Sequence, residues 1–214
     1  MINKEGAPWI LTPSLGALGA ALFKKDKLAK ALLGIAALNA FFFRDPPRDP
    51  VLHPELIISP ADGKIVKCEV EENPEWYPEP LWRIGILIRF WDVHINRSPV
   101  IGKILKISYF KGEKMPPFYK DSFEKNEKQI YLIEREDGLP FWIVQIAGVV
   151  ARRIKSFVLP GDDVVTGNPI GIIKFGSRVE LFFPAEGAEI YVKKGHKVLG
   201  GETVIGKISL RNSF

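Results

Sequence analysis

The sequence predicts a mainly β domain with an apolar helical segment at its N-terminus. Three observations lead there. The 214 residues include 19 glycines and 17 prolines, which favours many short strands and turns over long helices. A glycine pattern also repeats. Gly161-x-x-Val164-x-x-Gly167-x-x-Ile170-Gly171 returns as Gly195-x-x-Val198-x-x-Gly201-x-x-Val204-Ile205-Gly206, with one residue inserted before the last glycine. Pro99-Val100-Ile101-Gly102-Lys103-Ile104 is a looser third copy, and Pro60-Ala61-Asp62-Gly63 returns as Pro184-Ala185-Glu186-Gly187. Short strands repeated between glycine turns imply an all-β core with internal pseudo-symmetry. Finally, the apolar residues before Phe43 fall into two runs, and Arg44-Asp45-Pro46-Pro47 ends the second.

Length and composition set the bounds. A chain of 214 residues makes one domain with an appendage, here divided as residues 1–47 and 48–214. A hydrophobic content of 46% supports a full core and argues against disorder. The net charge of +5 points to nucleic acid or anionic lipid. Without zinc-finger spacing, a recognition-helix pattern or a long basic run, nucleic acid is disfavoured. The single cysteine, Cys68, excludes an internal disulfide and a multi-cysteine metal site. His53, His94 and His196 are far apart in the chain, and nothing in their spacing asks for a metal.

In chain order, Leu15 to Phe23 is apolar, Lys24, Lys25, Lys27 and Lys30 follow, and residues 31–43 are apolar again. Each run is shorter than the roughly 20 residues that span a bilayer. The charge follows the first run rather than preceding it, unlike a signal peptide. Two readings stand: a helical hairpin packed on the domain, or an interfacial anchor with Trp9 and the lysines at the headgroups. Beyond residue 48, Leu56-Ile57-Ile58 leads into a turn at Pro60-Ala61-Asp62-Gly63, and a strand resumes at Lys64. Residues 71–80 read as a loop, Trp82 to Phe90 as a buried strand, Ile101 to Tyr109 as another, and residues 111–128 as a long excursion. Gln129–Glu134 and Phe141–Ala151 are strands joined across Asp137-Gly138, a hairpin signal.

Apolar residues flank Gly176-Ser177 on both sides, as in a strand interrupted once. By itself such a pair is a bulge or a turn. Ser177, His94 and Asp62 have the residue types of a hydrolase triad, a nucleophile with a base and an orienter. The Gly-x-Ser-x-Gly elbow is absent. An Asp in Ala-Asp-Gly is ordinarily a turn former, and a His between Val93 and Ile95 is ordinarily structural.

Four stretches change that weighing. They are Ser59-Pro60-Ala61-Asp62-Gly63-Lys64-Ile65; Asp92-Val93-His94-Ile95-Asn96-Arg97-Ser98-Pro99 with Gly102; Gln145-Ile146-Ala147-Gly148 through Ala151-Arg152-Arg153-Ile154; and Phe175-Gly176-Ser177-Arg178. In this order, over roughly residues 40 to 210, the sequence resembles the short, prokaryotic phosphatidylserine decarboxylases, the archaetidylserine decarboxylase-like type. The core also resembles the barrel-sandwich of lipoyl and biotinyl carriers. The positions comparable to a carrier's modifiable lysine hold Asn168-Pro169 and Glu202-Thr203, which argues against a carrier.

The family resemblance implies self-cleavage between Gly176 and Ser177. The products are a β chain of residues 1–176 and an α chain of residues 177–214, which stay associated. Ser177 becomes an N-terminal pyruvoyl group, the covalent electron sink for decarboxylation, with no pyridoxal phosphate and no metal. Asp62 is implied as the activator of cleavage through a histidine. His94 is implied as base, proton donor or substrate contact. Arg97, Arg152 and Arg153 are candidates for the headgroup phosphate or carboxylate, with Asn96 a further substrate contact. Gln145 is read as a buried hydrogen-bond partner near the site. The implied substrate is phosphatidylserine or the ether lipid archaetidylserine, and the implied place is peripheral, on the cytoplasmic side of the cell membrane. The family's lipid chemistry favours the anchor reading of residues 1–47. A homo-oligomer is compatible with all of this. A serine hydrolase and a membrane-binding β module remain the alternatives if the chain is not cut.

Overall fold

The computed structural model describes residues 1–72, 74, 77–116, 119, 121–148, 154–174 and 177–210. The chain divides into two compact units, Met1–Pro47 and Arg48–Phe214.

The first unit is a helical hairpin, α1 (Ala7–Leu22) and α2 (Asp26–Phe42), turning through Lys24 at φ 55°. Pro13 lies inside α1 and has no N–H to give to Trp9, four residues back. The Asn39 side-chain amide of α2 donates to that Trp9 carbonyl instead, at 2.9 Å. Small side chains are buried here, Ala17 and Ala20 on α1 and Ala29 and Ala36 on α2. Leu11, Leu15, Leu18, Leu22, Leu33 and Leu38 are exposed. No helix among the described residues is long and apolar enough to cross a membrane.

The second unit is mainly β. Its strands in order are β1 (Leu56–Ile58), β2 (Gly63–Glu71), β3 (Leu81–Ile88), β4 (Ile95–Arg97), β5 (Gly102–Phe110), β6 (Lys128–Glu134) and β7 (Pro140–Ala147), followed by β8 (Ile154–Ser156), β9 (Asp163–Val164), β10 (Pro169–Ile173), β11 (Ser177–Pro184), β12 (Ala188–Ile190), β13 (Lys197–Val198) and β14 (Val204–Ile208). They form an eight-stranded sheet, β13-β2-β3-β11-β7-β6-β5-β9, and two three-stranded sheets, β1-β14-β12 and β4-β10-β8. This is the expected mainly β architecture, with a long curled sheet and smaller sheets consistent with a barrel-sandwich. Alternation puts Val179, Leu181 and Phe183 of β11 into the main core with Ile84, Ile86, Tyr131, Ile133, Phe141 and Ile143. On the other face of the sheet, Phe182 packs with Leu81, Trp142, Val144 and Ile146.

Three features differ from the sequence expectation by more than a one-residue shift. β3 stops at Ile88 because the Asp92 carboxylate takes the Arg89 backbone N–H at 2.9 Å and turns the chain. β7 ends at Ala147, Gly148 is no longer strand, and residues 149–153 lie outside the described residues. The excursion contains a short helix, α3 (Ser122–Lys125).

The pseudo-symmetry is more extensive than the glycine pattern. Gly161 and Gly195 stand at φ 96° and 101°, Gly167 and Gly201 at 83° and 81°. These are left-handed conformations that suit glycine. Around them the hydrogen bonds repeat. Gly201 N–H donates to the Ser59 carbonyl and Gly167 N–H to the Ser98 carbonyl, both at 2.8 Å. Ile65 and Ile104 donate to the carbonyls of His196 and Asp162, both at 2.9 Å. The Ser59 hydroxyl donates to Ala61 and the Ser98 hydroxyl to Val100. Thus Ser59-Pro60-Ala61-Asp62-Gly63-Lys64-Ile65 is the counterpart of Ser98-Pro99-Val100-Ile101-Gly102-Lys103-Ile104. Bulges fall at the same place, between Ile65 and Lys67 and between Ile104 and Lys106. By register, β1, β2, β3 and β11 correspond to β4, β5, β6 and β7.

Candidate active site

Ser177 opens β11, opposite Ile88 of β3 and Ala147 of β7. It shares its face with Val179 and Leu181 and is fully buried. Its hydroxyl oxygen has no hydrogen-bond partner among the described residues. A buried polar group left that way costs about 1–3 kcal/mol. Phe175 and Gly176 lie outside the described residues, so the predicted junction is seen from its Ser177 side.

His94 is fully buried just before β4. Its Nδ1 lies 2.9 Å from the Asp92 carbonyl. A carbonyl only accepts, so Nδ1 carries a proton and donates it there. The His94 carbonyl accepts the Ile173 N–H at 3.3 Å, at the end of β10. Three residues separate Ile173 from Ser177, which holds their Cα atoms within about 15 Å.

Asp62 is in the turn entering β2. The Arg48 Nη2 donates to both its oxygens, at 3.0 and 2.8 Å, and the Gly200 N–H donates to Oδ1 at 2.7 Å. Burial raises its pKa above the ordinary 3.8; Arg48 and the Gly200 N–H oppose the rise, and the charge on Asp92 adds to it. The partners of Asp62 are therefore Arg48 and Gly200, while the Asp92 carbonyl orients His94. Lys64 pairs with Leu87 and Ser177 with Ile88, so Asp62 is two strands, about 10 Å, from Ser177 at one end of the sheet.

Asn96 is buried on β4, two residues from His94. Its Oδ1 accepts from Gln145 Nε2 at 2.7 Å, and Gln145 Oε1 accepts from Gln129 Nε2 at 3.4 Å. Gln129 Nε2 also donates to the Tyr131 hydroxyl. Burial pushes the Tyr131 pKa up to about 12. Gly171 makes room for this chain, since a Cβ there would stand 2.5 Å from the Tyr131 hydroxyl and 3.1 Å from Gln145 Nε2. Arg97 faces the other way. Its Nη1 donates to the Gly167 carbonyl at 3.0 Å, and its Cδ lies where a Cβ on Gly201 would be 2.8 Å away. It is wedged between the two repeated turns. Arg152 and Arg153 lie outside the described residues.

On the opposite face of β11, Glu180 is fully buried. It receives Arg83 Nε at 2.6 Å and pairs with Arg178 at 2.8 Å. Arg83 also pairs with Glu71 at 3.3 Å. Sequence reasoning missed Arg48, this ion chain, Gln129 and Tyr131. The signal for the ion chain was available: Arg83 is the single charge of the apolar β3, and Arg178 and Glu180 are the two charges of the otherwise apolar β11. Among the described residues no group of three or more His, Cys, Asp or Glu is placed to hold a metal.

Comparison with known proteins agrees with these motifs. Residues 35–206 match the family model described as phosphatidylserine decarboxylase. The chain is 37% identical over 219 residues to the phosphatidylserine decarboxylase proenzyme of Novosphingobium aromaticivorans, covering 97% of this chain and 86% of that one. It is 38% identical over 209 residues to a protein of Methanopyrus kandleri provisionally named archaetidylserine decarboxylase proenzyme, covering 94% and 96%. Over 169 residues it is 43% identical to the phosphatidylserine decarboxylase proenzyme of Carboxydothermus hydrogenoformans, covering 78% of each.

Proposed function

The chain belongs to the phosphatidylserine decarboxylase family, and on that premise we propose that it matures by cutting itself between Gly176 and Ser177 and then decarboxylates phosphatidylserine to phosphatidylethanolamine. The observation that carries this reading is the buried Ser177 hydroxyl, without a partner among the described residues, at the head of a strand whose side chains line the core. A serine kept only for packing would hydrogen-bond or give way to an apolar residue.

In this reading His94 Nε2 takes the Ser177 proton and the oxygen attacks the Gly176 carbonyl. The peptide bond becomes an ester. Loss of the Ser177 α proton then expels the Gly176 carboxylate and leaves a dehydroalanine. Water replaces its nitrogen, ammonia departs, and residue 177 ends as a ketone, the pyruvoyl group. The site suits that group. Ser177 is excluded from bulk water, and β3 and β7 hold β11 on both sides, so the α chain of residues 177–214 stays bound to the β chain of residues 1–176. The pyruvoyl group supplies the electrophile for the substrate amine and the sink for the electrons released with CO₂. His94, Asn96, Arg152 and Arg153 are the residues we assign to proton transfer and to the headgroup, whereas Arg97, a sequence candidate for the headgroup, is turned away between the two glycine turns.

The hairpin of residues 1–47 is assigned to the membrane surface, peripheral and on the cytoplasmic side. Ala17, Ala20, Ala29 and Ala36 are buried while Leu11, Leu15, Leu18, Leu22, Leu33 and Leu38 are exposed, which suits an apolar medium, and Lys24, Lys25 and Lys27 suit anionic headgroups. A diether lipid with the same serine headgroup is the second reading, favoured by the near-equal likeness to the archaeal relative.

Intact-mass spectrometry tests the proposal. Two fragments are expected, split after Gly176, with the C-terminal one lighter than a serine-started peptide by one ammonia. Ser177→Ala should give one full-length mass. A full-length wild-type mass, or continued cleavage in Ser177→Ala, would refute self-processing at this bond.

A further inference from the structure

The four-residue chain beside Ser177 has a direction. Tyr131 accepts from Gln129, Gln129 donates to Gln145, and Gln145 donates to Asn96 Oδ1. With its oxygen committed, Asn96 is left with Nδ2, a buried donor that has no partner among the described residues. Ser177 Oγ is likewise buried and unpartnered. The two belong to one neighbourhood. Ser177 pairs with Ala147, so Gln145 is its diagonal neighbour on the same face, about 7–8 Å away. Asn96 Oδ1 sits on the end of that Gln145 side chain.

The fold does not require this polar chain, because the pseudo-symmetric half fills the same places with apolar residues. By register, Asn96 corresponds to Ile57, Gln129 to Trp82, Tyr131 to Ile84 and Gln145 to Phe183. Ile57, Ile84 and Phe183 are fully buried, and Trp82 packs against the same core. One half is plugged with hydrocarbon. The other holds a string of amides that ends on an N–H without a partner among the described residues.

We propose that Tyr131, Gln129 and Gln145 are positioning residues that fix the Asn96 amide, and that Asn96 Nδ2 is the hydrogen-bond donor to the oxygen of the carbonyl that Ser177 attacks during maturation. This rests on the self-cleavage reading above. A donor fixed before the reaction stabilises the developing oxyanion without reorganisation, and losing one such donor costs roughly 10²–10³ in rate.

The test follows cleavage of freshly refolded full-length chain by intact mass, with a thermal melt of each variant made uncleavable by Ser177→Ala. Asn96→Ile installs the counterpart residue, and Asn96→Asp offers acceptors in place of the donor. Both should slow cleavage about 100-fold. Asn96→Ser, which keeps a donor, should recover part of that. Gln145→Leu frees the Asn96 amide to turn and should slow cleavage about tenfold, with Tyr131→Phe milder still. Wild-type cleavage with wild-type rates in both Asn96→Ile and Asn96→Asp overturns the inference alone. So does a normal rate in Asn96→Asp only, or a rate loss that merely follows the loss of melting temperature across the set. An uncut wild-type chain overturns this inference together with the reading beneath it.

Discussion

The two pseudo-symmetric halves of the β unit share a backbone and differ in chemistry. Ser59 and Ser98 start the same turn, with the same hydroxyl bond and the same partner glycine. Three residues on, one half has Asp62, paired with Arg48 and Gly200, and the other has Ile101. Before the turn the assignment reverses. His94, Asn96 and Arg97 correspond to Glu55, Ile57 and Ile58, and the Ile173 bond to the His94 carbonyl matches the Ile208 bond to the Glu55 carbonyl. Each half is thus an internal control for the other. Where both keep a residue, the fold needs it. Where one has replaced an isoleucine with a carboxylate or an amide, folding alone does not explain the choice. Buried polar groups are costly, so their confinement to one copy of each position marks chemistry.

The largest effect expected from breaking this asymmetry is on maturation. Asp62→Asn should slow chain cleavage by about 10²–10⁴-fold, the range for losing an acid–base participant, while Ile101→Asn in the counterpart turn should leave the cleavage rate unchanged. Mass-resolved time courses of both variants decide it, and equal slowing would mean that the turn matters only as structure.

Next comes Glu180→Gln. It leaves Arg83 and Arg178 without their shared carboxylate and should cost about 3–5 kcal/mol, seen as a lower denaturant midpoint at unchanged slope. The counterpart of Glu180 is Trp142, and Trp142→Phe should cost less because it strands no charge. The reverse ranking would break the contrast between an ionic and an apolar filling of the same place.

Smaller, and the same on both sides, is the loss of the turn hydroxyls. Ser59→Ala and Ser98→Ala should each cost about 0.5–1.5 kcal/mol and match one another by thermal melt. A difference of several-fold would show that one turn bears more of the fold than its counterpart.

The smallest effect concerns pH. Burial raises the folded-state pKa of Asp62 above 3.8, so the folded chain holds that proton more tightly than the unfolded one. The contribution is fully present below 3.8 and is lost as pH rises through the raised value. Ile101 has nothing to titrate. Asp62→Asn should therefore flatten that part of the stability–pH curve in melts run from about pH 3 to about pH 7.

Much of the architecture was legible because it rests on local rules. Alternating apolar residues announce β2, β3, β6 and β7. Asp137-Gly138 announces its hairpin, and the spaced glycines announce turns whose positive φ only glycine takes easily. The pairing of apolar runs with alanines and lysines announced a helical hairpin, though not that its leucines would face outward. Ser177, His94, Asp62 and Asn96 were legible only through their motifs. Nothing local separates a structural histidine from a base.

Arg48 and Gln129 were not legible at all. Arg48 lies among prolines in what reads as a linker, and its bond to Asp62 spans 14 residues that no period predicts. Gln129 alternates like any strand residue, and its inward face appears only once Gln145 is set opposite it.

By itself, then, the sequence determined strands, turns and the doubled plan, because periodicity and glycine conformation act within a few residues. Only the tertiary structure decided which polar groups meet. Register brings Arg83 to Glu180 across 97 residues, the meeting of two sheets brings Asn96 to Gln145 across 49, and a hydrogen bond tests distance in space rather than separation along the chain.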